Sequence, residues 1–127
     1  MTATATIDHG TTRDGLIQLR RRWSPAGTAK AAVLMVHGLG EHSGRYEHVG
    51  GRLAELGYDV VMCDNRGFGG SGGKRAYVDA FSQFLDDVED QLAEVRSLGL
   101  PTVLLGHSLG ALISVSYTHL RAHETSG

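Results

Sequence analysis

The sequence predicts an α/β fold in which a mostly parallel sheet is flanked by helices. Three uninterrupted apolar runs, at residues 31–36, 58–63 and 102–105, have the length of strands that are covered on both faces. Segments with apolar residues at helical spacing lie between these runs and after the last one. Such an alternation of strands and helices implies parallel strands that are joined by right-handed crossovers.

The chain before the first apolar run is expected to contain a leader, a strand and a loop. Residues 1–9 are predicted to form a loose leader, because they carry no apolar periodicity. Residues 16–23 are predicted to form a strand, and the Ser-Pro-Ala-Gly segment at 24–27 is predicted to form a loop.

Two helices are predicted between the apolar runs. The first spans residues 43–56, with Ser43 as its cap and Gly57 as its stop, and two adjacent glycines weaken its middle. The second is capped by Asp79 and ends at Gly99. Its apolar stripe consists of Phe81, Phe84, Leu85, Val88, Leu92 and Val95.

Length and composition limit the possible classes of function. A chain of 127 residues forms one ordinary domain at most, and its net charge of −2 gives no electrostatic basis for a nucleic-acid partner. The single cysteine, Cys63, cannot form an internal disulfide and is predicted to be a buried thiol in a reducing compartment. No secretory signal and no membrane-spanning run is recognisable, so a cytoplasmic location without a stable membrane anchor is expected.

The most informative motif follows the last apolar run. Gly106-His107-Ser108-Leu109-Gly110 is a G-x-S-x-G pentapeptide between a predicted strand and a segment that can form a helix. In this context the serine sits on a sharp, strained turn with its hydroxyl exposed, and glycines flank it because larger side chains would collide. The motif therefore predicts that Ser108 is a catalytic nucleophile.

A second motif supplies the chemistry that such a nucleophile needs. His37-Gly38-Leu39-Gly40 directly follows the first apolar run. Acyl transfer passes through a tetrahedral oxyanion, and loss of one backbone donor to that oxygen costs roughly 3–4 kcal/mol. We expect the donors to be the N–H of Leu39, between Gly38 and Gly40, and the N–H of Leu109, which follows the nucleophile.

The glycine-rich segment after the second apolar run permits another interpretation. Residues 67–72 satisfy the G-x-G-x-x-G pattern of a dinucleotide site. Such a site requires the glycines to open a helix directly, whereas six residues intervene before Asp79 here. We therefore predict no nucleotide, no other cofactor and no metal, and expect Asp64 and Arg66 to brace the loop beside the site.

These motifs resemble those of a known enzyme branch. The segment HGLGEHSGRY at residues 37–46 resembles the opening motif of the monoacylglycerol lipase and lysophospholipase branch of the α/β-hydrolases. DNRGFGGS at residues 64–71 is similar to the D-x-R-G-x-G-x-S segment of that branch, and only Ala111 departs from its usual second glycine. The resemblance covers roughly residues 10–114 and implies an ester hydrolase that acts on a small-molecule ester or lipid, with transient contact to a lipid surface.

A serine nucleophile also requires a base and an orienting carboxylate, which follow it in this fold. After Ser108 the sequence offers His119, His123 and Glu124, and the helix that follows the serine carries all three away from it. The upstream histidines at positions 37, 42, 48 and 107 are interpreted as structural. The catalytic triad is therefore predicted to be incomplete in this chain.

The last residues give a reason for the incomplete triad. Residues 115–125 read VSYTHLRAHET and resemble a translated sequencing-library adapter of the transposon type. We therefore predict that residues 1–114 are the N-terminal portion of an α/β-hydrolase domain without its C-terminal strands and lid, and that 115–127 are a non-native tail. By itself this chain is then expected to be inactive. A short natural helix end is the alternative interpretation of the tail.

Other functions remain open from the residues alone. Within the same fold, the alternatives are another serine esterase, a peptidase or a cofactor-free haloperoxidase. Dehalogenase and epoxide-hydrolase chemistry are disfavoured, because their nucleophile is an aspartate at the position of Ser108. In a different class, the chain is a non-catalytic α/β binding domain that keeps the turn without the triad.

Overall fold

The three apolar runs form the parallel part of a five-stranded sheet in the computed structural model, which describes residues 4–122. The strands are β1 (Thr6–Thr11), β2 (Ile17–Trp23), β3 (Ala31–Val36), β4 (Tyr58–Cys63) and β5 (Thr102–Gly106). Strand β3 pairs in parallel with β4 and with β5, as predicted. The order of the strands in the sheet is β1-β2-β4-β3-β5, and β2 runs antiparallel to both of its neighbours.

Three helices cover the sheet. They are α1 (Glu47–Glu55), α2 (Phe81–Arg96) and α3 (Leu109–Tyr117). A 3₁₀ turn at Ser43–Tyr46 precedes α1, and a π-helical turn at Thr118–Ala122 follows α3. Helix α3 passes through the predicted domain boundary at Ser114 and ends at the buried Tyr117, and that boundary stays a prediction.

The alternation of side chains along β3 explains why this strand is apolar throughout. Leu34 and Val36 point to one face of the sheet, where they pack with residues of α2 and α3. Val33 and Met35 point to the other face and pack with Trp23 of β2 and with residues of β4 and α1. Because successive side chains point to opposite faces, a strand with a core on each side needs an apolar residue at every position.

The N-terminal segment differs from the sequence prediction. Residues 1–9 were expected to form a loose leader, which is wrong for the part from Thr6 onward, because Thr6–Thr11 form β1. This strand pairs with β2 over its whole length, from Thr6 opposite Arg22 to Thr11 opposite Ile17. All six residues are exposed, so the strand carries no apolar pattern and depends on backbone pairing. Residues 1–3 lie outside the described part of the chain.

Both predicted helix caps are also wrong. The residue that caps the 3₁₀ turn is His42, whose Nδ1 accepts the Gly44 N–H at 3.1 Å, whereas Ser43 is buried. Helix α2 begins at Phe81, after Ala80 in an extended conformation that supplies no side-chain cap. Asp79 instead donates its backbone N–H to Gln83 Oε1 at 3.2 Å. The Ser43 hydroxyl instead accepts from Arg21 Nε–H at 2.9 Å, so a tertiary contact uses this side chain elsewhere.

Two further features of the described residues bear on the sequence interpretation. Cys63 is a free, buried thiol, as predicted, and burial raises the pKa of that thiol. None of the helices described within residues 4–122 is long and apolar enough to cross a bilayer.

Candidate active site

Ser108 lies at the sharp turn between β5 and α3. Its backbone has φ +58° and ψ −119°, a left-handed conformation that a residue with a Cβ rarely adopts. Such a conformation costs of order 1–3 kcal/mol and persists only where the surrounding structure enforces it. The side chain is exposed to solvent. The strained turn that the G-x-S-x-G motif predicts is therefore present.

The glycines of that motif allow the close backbone contacts that enforce the turn. A Cβ on Gly110 would collide with the carbonyl oxygen of Val36 at the end of β3. A Cβ on Gly106 would collide with the carbonyl group of Gly110 one helical turn later. Both positions thus require glycine because of space, and α3 starts directly against β3 and β5 as a result.

The loop after β3 lies directly beside Ser108. A Cβ on Gly38 would stand 2.9 Å from the Ser108 Cβ and 3.1 Å from the His107 carbonyl oxygen. The loop turns sharply, with the Glu41 N–H donating to the Gly38 carbonyl at 3.3 Å and with Gly40 at φ +72°. A positive φ at the third residue is what a type II turn requires, and glycine provides it. The structure therefore brings the Gly38–Leu39 segment and Ser108 together.

The two backbone N–H groups predicted to bind the oxyanion have suitable surroundings. Leu109 is the first residue of α3, where N–H groups have no partner within the helix. Leu39 is 68% exposed and occupies the second position of the turn beside Ser108. The N–H of Gly38 is already occupied, because it donates to Glu41 Oε1 at 2.8 Å.

His37 is fully buried at the start of the same loop, and both of its ring nitrogens have partners. Its Nε2 accepts the Asn65 backbone N–H at 2.8 Å, and its Nδ1 lies 2.9 Å from the Gly38 carbonyl oxygen. This pattern fixes the tautomer with the proton on Nδ1. Burial lowers the pKa of His37, so the neutral ring is favoured. A ring held in this way from both nitrogens is not available as a base for Ser108.

Two side chains of the DNRGFGGS segment, Asp64 and Arg66, hold this glycine-rich loop in place beside the site, as expected from the sequence. The buried Asp64 carboxylate accepts the N–H of Ser43 at 2.6 Å and that of Gly70 at 2.8 Å. Although burial acts to raise it, these hydrogen bonds hold the pKa of Asp64 below its usual range. Arg66 is likewise buried, and its guanidinium pairs with Asp87 at 2.7 Å and with Asp14 at 2.9 Å.

The glycines of this segment do not open a helix. The loop closes on itself through the Gly67 N–H, which donates to the Gly72 carbonyl at 2.9 Å, and α2 begins only at Phe81. The arrangement lacks the direct glycine-to-helix junction of a dinucleotide site. Among residues 4–122, no three His, Cys, Asp or Glu side chains are grouped so that they could hold a metal ion.

Sequence reasoning missed one polar cluster beside Ser108. Glu41 Oε1 accepts from the Tyr46 hydroxyl at 2.9 Å and lies 3.3 Å from His107 Nδ1. The Tyr46 hydroxyl is also 3.2 Å from that nitrogen. Burial and the Glu41 carboxylate raise the pKa of Tyr46 to about 12. These side chains come from two motifs, so only their shared position next to the serine in the folded chain could reveal the cluster.

The structure places no triad partner beside Ser108 within residues 4–122. His119 lies on the turn after α3, and the nine residues of that helix separate it from Ser108 by roughly 14 Å at about 1.5 Å per residue. His107 is next to the serine, but its side chain is 70% exposed and is hydrogen-bonded to Glu41 and Tyr46. His123 and Glu124 lie outside the described residues.

A mostly parallel sheet with a strained serine at the turn between a parallel strand and a helix is typical of the α/β-hydrolase class. A protein-family model described as serine aminopeptidase, S33, matches residues 27–127. The chain therefore belongs to this family of hydrolases.

The chain is similar in sequence to two lipases and in fold to a third. The human monoglyceride lipase is 40% identical over 111 residues, which are 86% of this chain and 37% of that protein. The monoacylglycerol lipase of Mycolicibacterium smegmatis is 38% identical over 97 residues, which are 75% of this chain and 35% of that protein. A soluble variant of the Saccharomyces cerevisiae monoglyceride lipase, solved with a substrate analogue, superposes with a TM-score of 0.82.

These matches cover most of this chain but less than half of each relative. The yeast structure is 24% identical and covers 98% of this chain, but this chain covers only 42% of it, and the likeness shows the fold. The chain thus spans less than half the length of the relatives named here.

Proposed function

We propose that this chain belongs to a serine hydrolase that cleaves carboxylic esters, with monoacylglycerols or lysophospholipids as substrates. The observation that carries the proposal is the left-handed backbone of Ser108, which projects an exposed hydroxyl beside the Gly38–Leu39 loop. Backbone strain of this kind is retained where it serves chemistry. The similarity to monoglyceride lipases supports the ester substrate, and the expected cytoplasmic location stays a prediction.

In the proposed mechanism Ser108 Oγ attacks the carbonyl carbon of the ester. Its proton passes to a histidine base that we expect in further polypeptide beyond the described residues. The N–H groups of Leu39 and Leu109 donate to the oxyanion of the tetrahedral intermediate. The intermediate collapses to an acyl-enzyme as the same histidine gives its proton to the leaving alkoxide, which departs as the alcohol. Water then adds to the acyl carbon, and the fatty acid is released while the Ser108 hydroxyl is restored.

A fluorophosphonate probe on the complete gene product tests this proposal. We expect covalent labelling of the wild-type protein. The Ser108→Ala variant should not be labelled, and its esterase kcat should be at least about 10³-fold lower than that of the wild type. Ser97→Ala is the matched control, because Ser97 lies on the surface at the end of α2, and it should label like the wild type. A folded wild-type protein that neither labels nor hydrolyses esters would instead support the non-catalytic binding domain.

A peptidase is the second candidate, and the description of the matching family as a serine aminopeptidase favours it. The same labelling is expected for either enzyme, so substrates must separate them. Turnover of a monoacylglycerol and of an aminoacyl p-nitroanilide should be compared at equal concentration. We expect at least about tenfold higher kcat/KM for the monoacylglycerol, and the reverse preference would make the chain part of a peptidase.

A further inference from the structure

One carboxylate oxygen of Glu41, near Ser108, lies within hydrogen-bond distance of groups from two loops. Glu41 Oε1 accepts the Gly38 N–H at 2.8 Å and the Tyr46 hydroxyl at 2.9 Å. The same oxygen lies 3.3 Å from His107 Nδ1. Only 18% of the Glu41 side chain is exposed, and ionised acceptors form the stronger hydrogen bonds. Glu41 therefore connects the loop after β3 to the residue that precedes the nucleophile.

The bond to Gly38 determines which N–H groups of the loop remain open. Because the Gly38 N–H is directed to the Glu41 carboxylate, it cannot bind a substrate oxygen. The back-bond from the Glu41 N–H to the Gly38 carbonyl, at 3.3 Å, closes the turn from the other side. Both backbone groups of Gly38 are thus held by Glu41. Because the C=O and N–H of one trans peptide point in opposite directions, the Leu39 N–H points away from the turn that the Gly38 carbonyl closes.

The contact between Glu41 and His107 fixes the loop after β3 relative to Ser108. His107 directly precedes the nucleophile, and its backbone N–H donates to the Val36 carbonyl at 3.1 Å, at the end of β3. The His107 ring lies within hydrogen-bond distance of Glu41 and Tyr46, which come after the Gly38–Leu39 segment in the chain. The hydrogen bonds from Gly38, Tyr46 and His107 hold the pKa of Glu41 below its usual range, although burial opposes this, so the carboxylate is charged at neutral pH.

We propose that Glu41 is a positioning residue for the oxyanion hole. It directs the Gly38 N–H away from the substrate, orients the Leu39 N–H toward the oxyanion, and sets the loop at a fixed distance from Ser108 through His107. Glu41 does not itself touch the reacting atoms. The inference rests on the proposed function, because it assigns a role in that same reaction.

The test compares three variants in the complete gene product. Glu41→Ala removes the acceptor, and we expect kcat to fall on the order of 10- to 100-fold with KM within about threefold of the wild type, as for a weakened oxyanion hole. Glu41→Gln keeps an acceptor oxygen and should retain kcat within about threefold. Glu94→Gln is the matched control, because Glu94 is exposed on α2 and pairs with Arg20, and it should behave as the wild type.

Two readouts report on the loop rather than on stability. An alkylboronic acid forms a tetrahedral adduct with the serine, so its Kd should rise in Glu41→Ala by the same factor as kcat falls. Amide hydrogen exchange of residues 37–40 should accelerate in that variant and not in Glu94→Gln, and this readout does not need turnover. Equal kcat, Kd and exchange in Glu41→Ala and wild type would overturn the proposal.

The outcomes separate this proposal from the proposed function. A wild-type protein that labels and turns over, with a fully active Glu41→Ala variant, refutes the role of Glu41 alone. A folded wild-type protein without labelling refutes both. If Glu41→Ala does not fold, Tyr46→Phe decides, because it removes one hydrogen bond to the same oxygen. It should raise the boronic acid Kd about threefold to tenfold, and an unchanged Kd would count against Glu41.

Discussion

Single polar side chains hold the loops around Ser108 in place through bonds to backbone groups. His37 binds the backbone of Asn65, Asp64 binds that of Ser43 and Gly70, and Glu41 binds that of Gly38. A loop carries many backbone polar groups that would be costly to bury without partners. These side chains satisfy such groups and at the same time select one loop conformation. The strained backbone of Ser108 is supported by neighbours that are fixed in this way.

The buried His37 predicts a pH dependence of stability. Because burial lowers the pKa of His37, the unfolded chain binds a proton near the ordinary pKa of 6.5 and the folded chain binds it only at a lower pH. The free energy of unfolding should therefore fall as the pH drops below about 6.5, by up to about 1.4 kcal/mol per pH unit for this one proton. His37→Gln should be less stable at pH 7 and should lose this part of the slope.

Urea unfolding of the complete gene product at pH 7.5, 6.5 and 5.5 measures this effect. His9→Gln is the control, because His9 is exposed on β1, and it should keep the wild-type slope. An equal slope in His37→Gln and in the wild type would show that protonation of another group causes the pH dependence.

At the scale of elements, α1 packs on the sheet through a glycine. Gly50 is buried in the middle of α1, and a Cβ there would lie 2.6 Å from Cε2 and Cε3 of the Trp23 indole. The indole N–H also donates to Glu47 Oε2 at 3.0 Å, which fixes the ring against the helix. A glycine that lowers helix propensity is thus required by the contact between α1 and β2.

This contact reverses the usual effect of replacing glycine in a helix. Gly50→Ala should gain about 1 kcal/mol from helix propensity but lose about 1–3 kcal/mol from overpacking against a rigid ring. We expect net destabilisation of up to about 2 kcal/mol, measured as a lower midpoint in urea. Gly10→Ala is the matched control, because no heavy atom lies within 4 Å of its Cβ position, and it should change stability by less than about 0.5 kcal/mol. A more stable Gly50→Ala variant would contradict the packing argument.

The elements that the sequence predicted well are those with local signals. Strands β3 and β4 begin and end at the predicted residues, because a strand with a core on both faces is apolar at every position. Strand β1 was missed because its exposed residues pair only with a distant segment. The motif around Ser108 was recognisable because its residues are adjacent in the sequence. The contacts of Glu41 with Gly38 and His107, by contrast, exist only in the folded chain.

At the scale of the whole molecule, the two edges of the sheet differ in character. The β1 edge carries ionic contacts such as Arg20 with Asp8 at 2.6 Å. At the other edge, β5 pairs with β3 alone among residues 4–122, and Val103 and Leu105 are 52% and 47% exposed. An open depression of about 480 Å³ lies between this strand and α3. An apolar edge of this kind favours association with further polypeptide.

The exposed β5 edge predicts how the 127-residue chain behaves by itself. It should bind a hydrophobic dye such as ANS, self-associate as its concentration rises, and show no measurable turnover of a simple ester, because no triad base lies beside Ser108 among residues 4–122. The double variant Val103→Thr, Leu105→Thr should reduce dye binding about twofold or more. The matched control replaces two exposed apolar residues near the opposite edge, Ile7→Thr and Ile17→Thr, and should reduce it less. A monomeric chain that hydrolyses the ester with a dependence on Ser108 would show that these residues form a complete enzyme.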